Sequence, residues 1–283
     1  MAQYVIAVSG GVDSVVLLDM VATRQLLDAD SESVIVAHFD HGIRSDSADD
    51  ALFVANLARK YGFLFETTRV ELGKHASEEK ARIHRYRFLR DVARRHGATI
   101  VTAHHADDVV ETIAINMKRG TGWRGLAVLD SPGIVRPLVS LRKKDLLTYA
   151  HEHQLEWRED STNADTRYLR NDIRQRLEGQ DENTVQLLGL YRNRQVALKK
   201  IIDNETEKVL GTGPYDRHLF IYAPQQVARE LLRAALVREK GVSATRPQLD
   251  RALIAIKTLH PGKRHVVSDH ATLRFSKTQF VIE

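Results

Sequence analysis

Residues 5–18, with the sequence VIAVSGGVDSVVLL, carry the strongest structural signal in this chain. An apolar, β-branched run stops at Ser9-Gly10-Gly11, and apolar residues resume at helical spacing after Ser14. This pattern predicts a buried strand, a tight turn and the first turn of a helix. Paired glycines let backbone N–H groups approach an anion, and a helix start adds free N–H donors and positive potential. The stretch is therefore typical of a phosphate-binding loop.

The side chains of the loop favour the same interpretation. Ser9 and Ser14 add hydroxyl donors. Asp13 would repel a phosphate unless a metal ion lies between them, so it suggests Mg²⁺ held by the carboxylate and by phosphate oxygens. The loop has neither the lysine of a Walker sequence nor the Gly-x-Gly-x-x-Gly of a dinucleotide-binding turn. A plain strand–helix turn with a serine cap is the alternative.

Composition narrows the class of protein. The 283 residues suffice for one large domain and a small one, and 28% of them are charged. No apolar run approaches the roughly 20 residues of a membrane helix, and strand-like sequence begins at Tyr4, which leaves no room for a signal peptide. We therefore expect a cytoplasmic protein without a membrane partner.

Charge and cysteine content narrow the chemistry. The 42 Lys and Arg residues exceed the 37 Asp and Glu residues, and the isoelectric point is about 9.4, which favours a polyanionic partner. The chain has no cysteine, and this excludes disulfides, thiolate metal sites and persulfide chemistry.

The first half of the chain alternates strand and helix patterns, which predicts an α/β fold with a parallel sheet covered on both faces. After the first strand, we expect helices at 17–27, 47–61, 77–96 and 107–119, and strands at 33–39, 63–67 and 98–103. Ligands of such sheets bind beyond the carboxyl ends of the strands. Three polar strand ends, at 9–11, 39–41 and 103–105, are therefore expected to meet in one crevice.

The second half of the chain has a different organisation. We expect a helix at 141–153, a long polar helix within 181–210 and a break at 211–214, where the sequence is GTGP. Beyond it the expected elements are a strand at 219–222, helices at 225–240 and 247–259, and strands at 264–268, 272–275 and 280–283. The predicted organisation is a large domain at 1–180, a helical connector at 181–213 and a small α+β domain at 214–283.

An acidic motif, HHADDVVET at 104–112, lies at a predicted strand–helix junction. Asp108, Glu111 and Thr112 share one face of the helix start, where carboxylates can bind an ammonium group or a metal. An acidic first turn that satisfies the helix dipole is the alternative, and it explains Asp107 well. Zinc is disfavoured because neither His-Glu-x-x-His spacing nor any cysteine is present.

Two basic segments follow the acidic motif. In KRGTGWRGL, at 118–126, Arg124 offers bidentate donors to phosphate and Trp123 a stacking face, although cations also suit a helix end. A polar loop at 157–165 precedes a short basic helix at 168–174, whose arginines share one face. A solvated charged helix is the commoner fate of such a run.

The succession of motifs resembles the tRNA(Ile)-lysidine synthetase family of PP-loop ATPases over residues 4–177, and residues from 219 onward resemble its next domain weakly. The motifs that carry the resemblance are SGGVDS at 9–14, HFDHGIR at 38–44, EEKAR at 78–82 with Arg85-Tyr86, HHADDVVET, KRGTGWRGL, RPL at 136–138, EDSTNAD at 159–165 and RNDIR at 170–174. The resemblance implies a PP-loop (Rossmann-like) domain. It also implies an enzyme that cleaves ATP between the α and β phosphates and adenylates O2 of the wobble cytidine of tRNA(Ile) with anticodon CAU. The ε-amino group of free L-lysine then attacks C2 and expels AMP.

The resemblance also implies roles for individual residues. Expected ATP-binding residues are Ser9, Gly10, Gly11, Val12, Asp13 and Ser14, with Asp13 also the Mg²⁺ ligand. Asp108 and Glu111 are expected to bind lysine. Expected tRNA contacts are Arg85, Arg124, Arg170, Asn171, Arg174 and the domain at 214–283. Expected catalytic residues are Asp13, Asp40, Arg82, His104 and Asp107.

Two questions stay open at this stage. The attacking amine has a free pKa of about 10.4 and needs a base, for which Asp40, His104 and Asp107 are candidates. The oligomeric state, including a homodimer, is also open. Rival functions are a PP-loop tRNA thiolase, which the lack of cysteine disfavours, a PP-loop amide-forming synthetase and a non-catalytic RNA-binding relative.

Overall fold

The computed structural model describes residues 3–27, 31–42, 47–73, 77–158, 173 and 181–283. The chain divides into two compact units, the first formed by residues 1–121 and 128–192 and the second by residues 122–127 and 193–283. The expected boundaries at 180 and 213 stay a prediction. Within the described ranges, no helix is long and apolar enough to cross a membrane.

The first unit contains a five-stranded parallel sheet with the order β3-β2-β1-β4-β5. Its strands are β1 (Tyr4–Ala7), β2 (Val34–Asp40), β3 (Leu64–Arg69), β4 (Thr99–Val101) and β5 (Ile134–Val135). Its helices are α1 (Val12–Ala22), α2 (Ser47–Tyr61), α3 (Glu78–His96), α4 (Ala106–Lys118) and α5 (Lys143–Glu152). The expected α/β fold with a parallel sheet is confirmed.

Alternation along the central strands distributes the core over both faces of the sheet. Val5 packs in the same buried cluster as Leu89 of α3, whereas Ile6 packs with Leu17 of α1 and Leu146 of α5. Every residue of β2 is buried, as expected of a strand that lies inside a parallel sheet. The central strands are therefore fixed from both sides, and their carboxyl ends are held in register.

Local signals set the helix ends. The Ser77 hydroxyl caps α3 by accepting a hydrogen bond from the Lys80 N–H at 3.2 Å, and Gly97 ends the helix with a φ of 60°. The prediction that the first helix reaches Leu27 is wrong. It ends at Ala22, where the Thr23 hydroxyl donates to the Asp19 carbonyl at 2.8 Å and Arg24 adopts a φ of 58°.

The second unit combines helices with a four-stranded antiparallel sheet of order β6-β9-β8-β7. Its elements are the second part of α6 (Glu182–Leu210), β6 (Tyr215–Asp216), α7 (Arg217–Tyr222), α8 (Gln225–Lys240), α9 (Arg246–Thr258), β7 (Arg264–Ser268), β8 (Ala271–Phe275) and β9 (Gln279–Ile282). The predicted strand at 219–222 is wrong. The Asp216 carboxylate caps a helix there, accepting from the His218 N–H at 2.8 Å, and Phe220 is fully buried.

Candidate active site

A cavity of about 410 Å³ opens in the first unit at the carboxyl ends of β1, β2 and β4. Ser9 and Gly11 follow β1, Asp40 and His41 come from the end of β2, and His104 follows β4, and all five line the cavity. In the sheet order, β1 lies between β2 and β4, which is the position where open α/β sheets bind ligands. The prediction that the three strand ends share one crevice is confirmed.

The loop after β1 is organised around one serine. The Ser14 hydroxyl accepts from the N–H groups of Ser9 and Gly10, both at 3.2 Å, and donates to the Gly11 carbonyl at 2.8 Å. Gly10 has a φ of 96°, a conformation that side chains disfavour. No side chain caps α1 at Gly11, and helix starts of this kind are suited to binding an anion.

Val12 differs from the other residues of the loop. Its side chain is buried in the core below the sheet edge and does not line the cavity. Any contact of Val12 with a nucleotide would therefore come from its backbone. The valine side chain instead anchors the start of α1.

Asp13 contacts a lysine that the sequence analysis missed. Its Oδ1 atom lies 2.6 Å from Nζ of Lys143, at the start of α5, and its Oδ2 atom lies 3.8 Å from Nε2 of His105. A signal for Lys143 did exist, because three consecutive cations at 142–144 lie at the start of the helix predicted at 141–153, and cations are disfavoured at a helix N-terminus.

The Asp13 carboxylate suits Mg²⁺ as one of several ligands. Asp13 offers carboxylate oxygens at the cavity, but the described part of the chain contains no group of three His, Cys, Asp or Glu residues arranged to hold a metal ion. Mg²⁺ in phosphate sites commonly takes one or two protein carboxylates and completes its shell with phosphate oxygens and water. Asp13 suits that arrangement and does not form a closed metal site.

Asp107 anchors the start of α5. Its carboxylate accepts hydrogen bonds from the Arg142 Nε–H at 2.9 Å and from the Lys143 N–H at 2.7 Å. Burial opposes ionisation of this carboxyl, but hydrogen bonds from Arg142 and Lys143 and the nearby His105 ring hold its pKa well below the usual range. Asp107 does not line the cavity. The structure therefore gives Asp107 a positioning role at the start of α5.

The two histidines of the acidic motif have opposite electrostatic environments. Burial lowers the pKa of His104 to about 3, and Arg136, Arg85 and Arg82 add to the effect of burial against the attraction of Asp108. Burial also disfavours a charged His105, yet the Asp107 carboxylate, 3.5 Å from its Nδ1 atom, and the nearby Asp108 and Asp13 raise its pKa. His104 is therefore neutral at pH 7, and its Nδ1 atom lies 2.8 Å from the Thr102 hydroxyl.

The two carboxylates predicted to bind lysine lie at different depths. Asp108 lines the cavity and accepts a hydrogen bond from the His105 N–H at 3.0 Å. Glu111 lies one turn further along α4, is 3% exposed and does not line the cavity. The geometry brings Asp108, and not the Glu111 side chain, to the cavity surface.

Arg85 of α3 and Asp40 of β2 also line the cavity. Arg85 lines the cavity, and the guanidinium of Arg82 lies 4.7 Å from the ring of Tyr86, which also lines it. Asp40 is nearly buried and is held by the Gly42 N–H at 2.8 Å and by Arg69 at 3.2 Å. Asp40 therefore reaches the cavity as a fixed carboxylate.

Arg124 belongs to the second unit, whereas the loop residues belong to the first. Its Nε and Nη2 atoms donate to Glu230 and Asp203, both at 2.7 Å. Two carboxylates of its own unit hold this guanidinium, and its predicted contact with tRNA stays a prediction. Arg170, Asn171 and Arg174 lie outside the described residues, so their predicted tRNA contacts stay predictions.

The chain is similar in sequence to a known domain family and to named proteins. A family model described as a PP-loop domain matches residues 1–180. A tRNA(Ile)-lysidine synthase of Novosphingobium aromaticivorans is 40% identical over 180 residues, which are 60% of this chain and 54% of that protein. A tRNA(Ile)-lysidine synthase of a Bradyrhizobium species is 32% identical over 287 residues, covering 89% of this chain and 80% of the relative.

A solved structure supports the fold alone. The U34-tRNA thiolase NcsA of Methanococcus maripaludis superposes with a TM-score of 0.57 at 18% identity, covering 69% of this chain and 73% of the other.

The comparisons differ in how much of each relative they cover. Five relatives matched over 180 to 187 residues are covered for only 34% to 54% of their own length. The PP-loop model nevertheless spans more than half of this chain, and the Bradyrhizobium relative is matched through most of both proteins. Together with the loop and the cavity at the strand ends, these matches show that the chain belongs to the tRNA(Ile)-lysidine synthase family of PP-loop proteins.

Proposed function

We propose that the chain ligates L-lysine to C2 of the wobble cytidine of tRNA(Ile) with anticodon CAU, consuming ATP and releasing AMP and pyrophosphate. The product, lysidine, pairs with A and switches charging from methionine to isoleucine. One observation carries the proposal. A single cavity joins the Ser9–Ser14 loop to the neutral His104 and the carboxylate of Asp108. A phosphate-binding wall and an ammonium-binding wall thus face the same space.

The first half of the reaction uses the loop. Oxygen O2 of the cytidine attacks the α-phosphorus, the bond from that phosphorus to the bridging oxygen breaks, and pyrophosphate leaves. N–H groups at the start of α1 and the Ser9 hydroxyl are placed to bind phosphate oxygens. Asp13 would hold Mg²⁺, which supplies charge neutralisation on the phosphates when bound. Arg85, which lines the cavity, adds a positive charge near the reacting phosphate.

The second half uses the opposite wall. Asp108 offers a carboxylate for the ammonium group of lysine. The ammonium first loses a proton to water, which frees the lone pair that attacks C2, and the C2–O2 bond breaks as AMP leaves. The adduct still holds an extra proton on this nitrogen, and because that proton is acidic, a weak base suffices to remove it. Among the three candidates, His104 is the neutral group at the cavity, whereas Asp107 is bound to the start of α5 and Asp40 to Arg69 and Gly42. We assign proton acceptance to His104.

Incorporation of labelled lysine tests the proposal. Purified protein with ATP and Mg²⁺ should transfer radiolabelled lysine to a tRNA(Ile) transcript with anticodon CAU, and not to one whose wobble cytidine is replaced. Pyrophosphate release should require that transcript. Absence of lysine transfer by a protein that releases pyrophosphate with tRNA would contradict the assignment of the substrate.

The thiolase alternative is not favoured. The thiolase of the same fold is described with a [4Fe-4S] cluster, and such clusters are held by cysteine thiolates. This chain has no cysteine. A cytoplasmic location is part of the proposal, since tRNA is the substrate.

A further inference from the structure

Lys143 is a cation in direct contact with the phosphate loop that the proposed function has not used. Its ammonium group lies 2.6 Å from the Asp13 carboxylate, although 130 residues separate them in sequence. The Lys143 and Asp13 side chains are 40% and 32% exposed, so the ammonium can leave the carboxylate by rotating its flexible stem.

The backbone of Lys143 is held firmly at this place. The Asp107 carboxylate accepts from its N–H at 2.7 Å and from the neighbouring Arg142 side chain. One residue earlier on α4, the Ala106 N–H donates to the Leu141 carbonyl at 2.8 Å. The start of α5 is thus attached to the first turn of α4, which itself borders the cavity. Because its backbone is fixed and its ammonium group can rotate, Lys143 can reach a bound ligand without movement of α5.

Stability does not explain the Asp13–Lys143 pair. Partly exposed ion pairs contribute little to folding, and a cation in the first turn of a helix opposes the helix dipole. The loop itself offers neutral N–H and hydroxyl donors and one carboxylate, and it lacks the lysine with which Walker loops contact the β and γ phosphates. An ATP molecule in this loop therefore needs a cation from elsewhere in the chain.

We propose that Lys143 is a catalytic residue that binds the β and γ phosphates of ATP and the departing pyrophosphate, an inference that rests on the proposed use of ATP. Without nucleotide its ammonium neutralises Asp13. With nucleotide, Asp13 turns to the metal and the ammonium moves to the phosphates. As O2 of the cytidine bonds to the α-phosphorus, the electron pair of the breaking bond passes to the bridging oxygen, where Lys143 stabilises the charge. No proton transfer is required in this step.

Binding measurements with a neighbouring control test the proposal. The variants are Lys143→Gln, Lys143→Arg and, as the control, Lys144→Gln, whose side chain pairs with Glu182. Calorimetry without tRNA or lysine would measure affinity for Mg-pyrophosphate, Mg-ATP and AMP. Lys143→Gln should weaken pyrophosphate and ATP binding tenfold or more and leave AMP binding unchanged, because AMP lacks the β and γ phosphates. Lys143→Arg should recover most of the loss, and Lys144→Gln should behave as the parent.

The outcomes separate this inference from the proposed function. Equal pyrophosphate affinity in Lys143→Gln and in a parent that binds ATP overturns the role of Lys143 and leaves lysine ligation standing. An equal loss of AMP binding also overturns it, because the lysine would then only shape the loop. If Lys143→Gln selectively loses pyrophosphate binding while the parent transfers no lysine to tRNA, the role of Lys143 is supported and the proposed substrate is overturned. A parent that binds neither ATP nor pyrophosphate overturns both.

Discussion

His104 and Asp108 lie four residues apart at one strand–helix junction and line the same cavity, yet their charges differ. Asp108 presents a carboxylate to the cavity, while burial and three arginines keep His104 neutral. One group can attract an ammonium ion, and the other can accept its proton. Binding and deprotonation of a single amine therefore require separate residues here, since a carboxylate that stabilises the ammonium raises its pKa.

Replacing Asp108 with Asn should raise the KM for lysine about 30-fold, corresponding to about 2 kcal/mol for a charge-assisted contact in a partly buried site. The affinity for ATP should change little. Steady-state lysine incorporation measures the effect, with Asp91→Asn on the exposed side of α3 as the control. An unchanged lysine KM would place the ammonium site elsewhere.

His104 should also impose a pH dependence on stability. The pKa of His104 is about 3 in the folded protein and about 6.5 when unfolded, so the unfolded state takes up a proton first as the pH falls. Its contribution is therefore present above about pH 6.5 and decreases towards pH 3, by about 1.4 kcal/mol per pH unit. Urea unfolding of the parent and of His104→Gln should show the variant losing less stability over this range. Parallel curves would refute the assignment.

The first turns of α4 and α5 behave as one connected element. Asp107 of α4 accepts from both the side chain of Arg142 and the backbone of Lys143, and the Asp145 carboxylate accepts from the Arg142 N–H at 2.8 Å. The cations at the start of α5 are thus held against the helix dipole by contacts from a neighbouring helix. The connection fixes which part of α5 reaches the phosphate loop.

Replacing Asp107 with Asn should lower the free energy of unfolding by about 1–3 kcal/mol, because a charged hydrogen-bond acceptor in a half-buried place is lost. Mg-pyrophosphate affinity should fall as well, since Lys143 loses its anchor. Asp145→Asn, which alters only the cap of α5, is the matched control for stability and should spare pyrophosphate binding. Thermal melts and calorimetry measure the two effects, and intact pyrophosphate affinity in Asp107→Asn would separate α4 from the phosphate site.

Both units carry arginines, but those in the described part of the chain are engaged differently. Arg85 lines the cavity of the first unit, whereas Arg124 is held by Asp203 and Glu230 within the second. Burial is the largest single effect on the Arg124 guanidinium and lowers its pKa, but the two ion pairs together outweigh burial and raise the pKa. The net positive charge of the molecule is therefore not a measure of the number of cations available to tRNA.

Salt dependence of tRNA binding distinguishes arginines that contact phosphate from an arginine that is held by carboxylates. Arg170→Gln and Arg174→Gln should each flatten the slope of log affinity against log salt by roughly one, as expected for lost phosphate contacts. Arg124→Gln should leave the slope unchanged and lower the melting temperature instead. Filter binding at several salt concentrations measures the slope. A flattened slope for Arg124→Gln would show that tRNA displaces its two carboxylates.

The sequence predicted those features that local pattern encodes. The loop at 9–14, the alternation of strands and helices, and the extent of the helix expected at 77–96 depend on residues close in sequence. The Asp13–Lys143 contact could not be predicted in this way, because it depends on how α5 packs against α1. The helix at Arg217–Tyr222 was missed because its apolar run suits a strand, and only the Asp216 cap favours a helix.

The partition of residues 122–127 has a consequence for recombination. These six residues belong to the second unit, although residues on both sides of them belong to the first. A chimaera that exchanges only the residues after 192 would separate Arg124 from its native Asp203 and Glu230 and leave a guanidinium facing foreign side chains. Exchange of the second unit between homologous genes therefore requires three coordinated crossovers, at 121/122, 127/128 and 192/193.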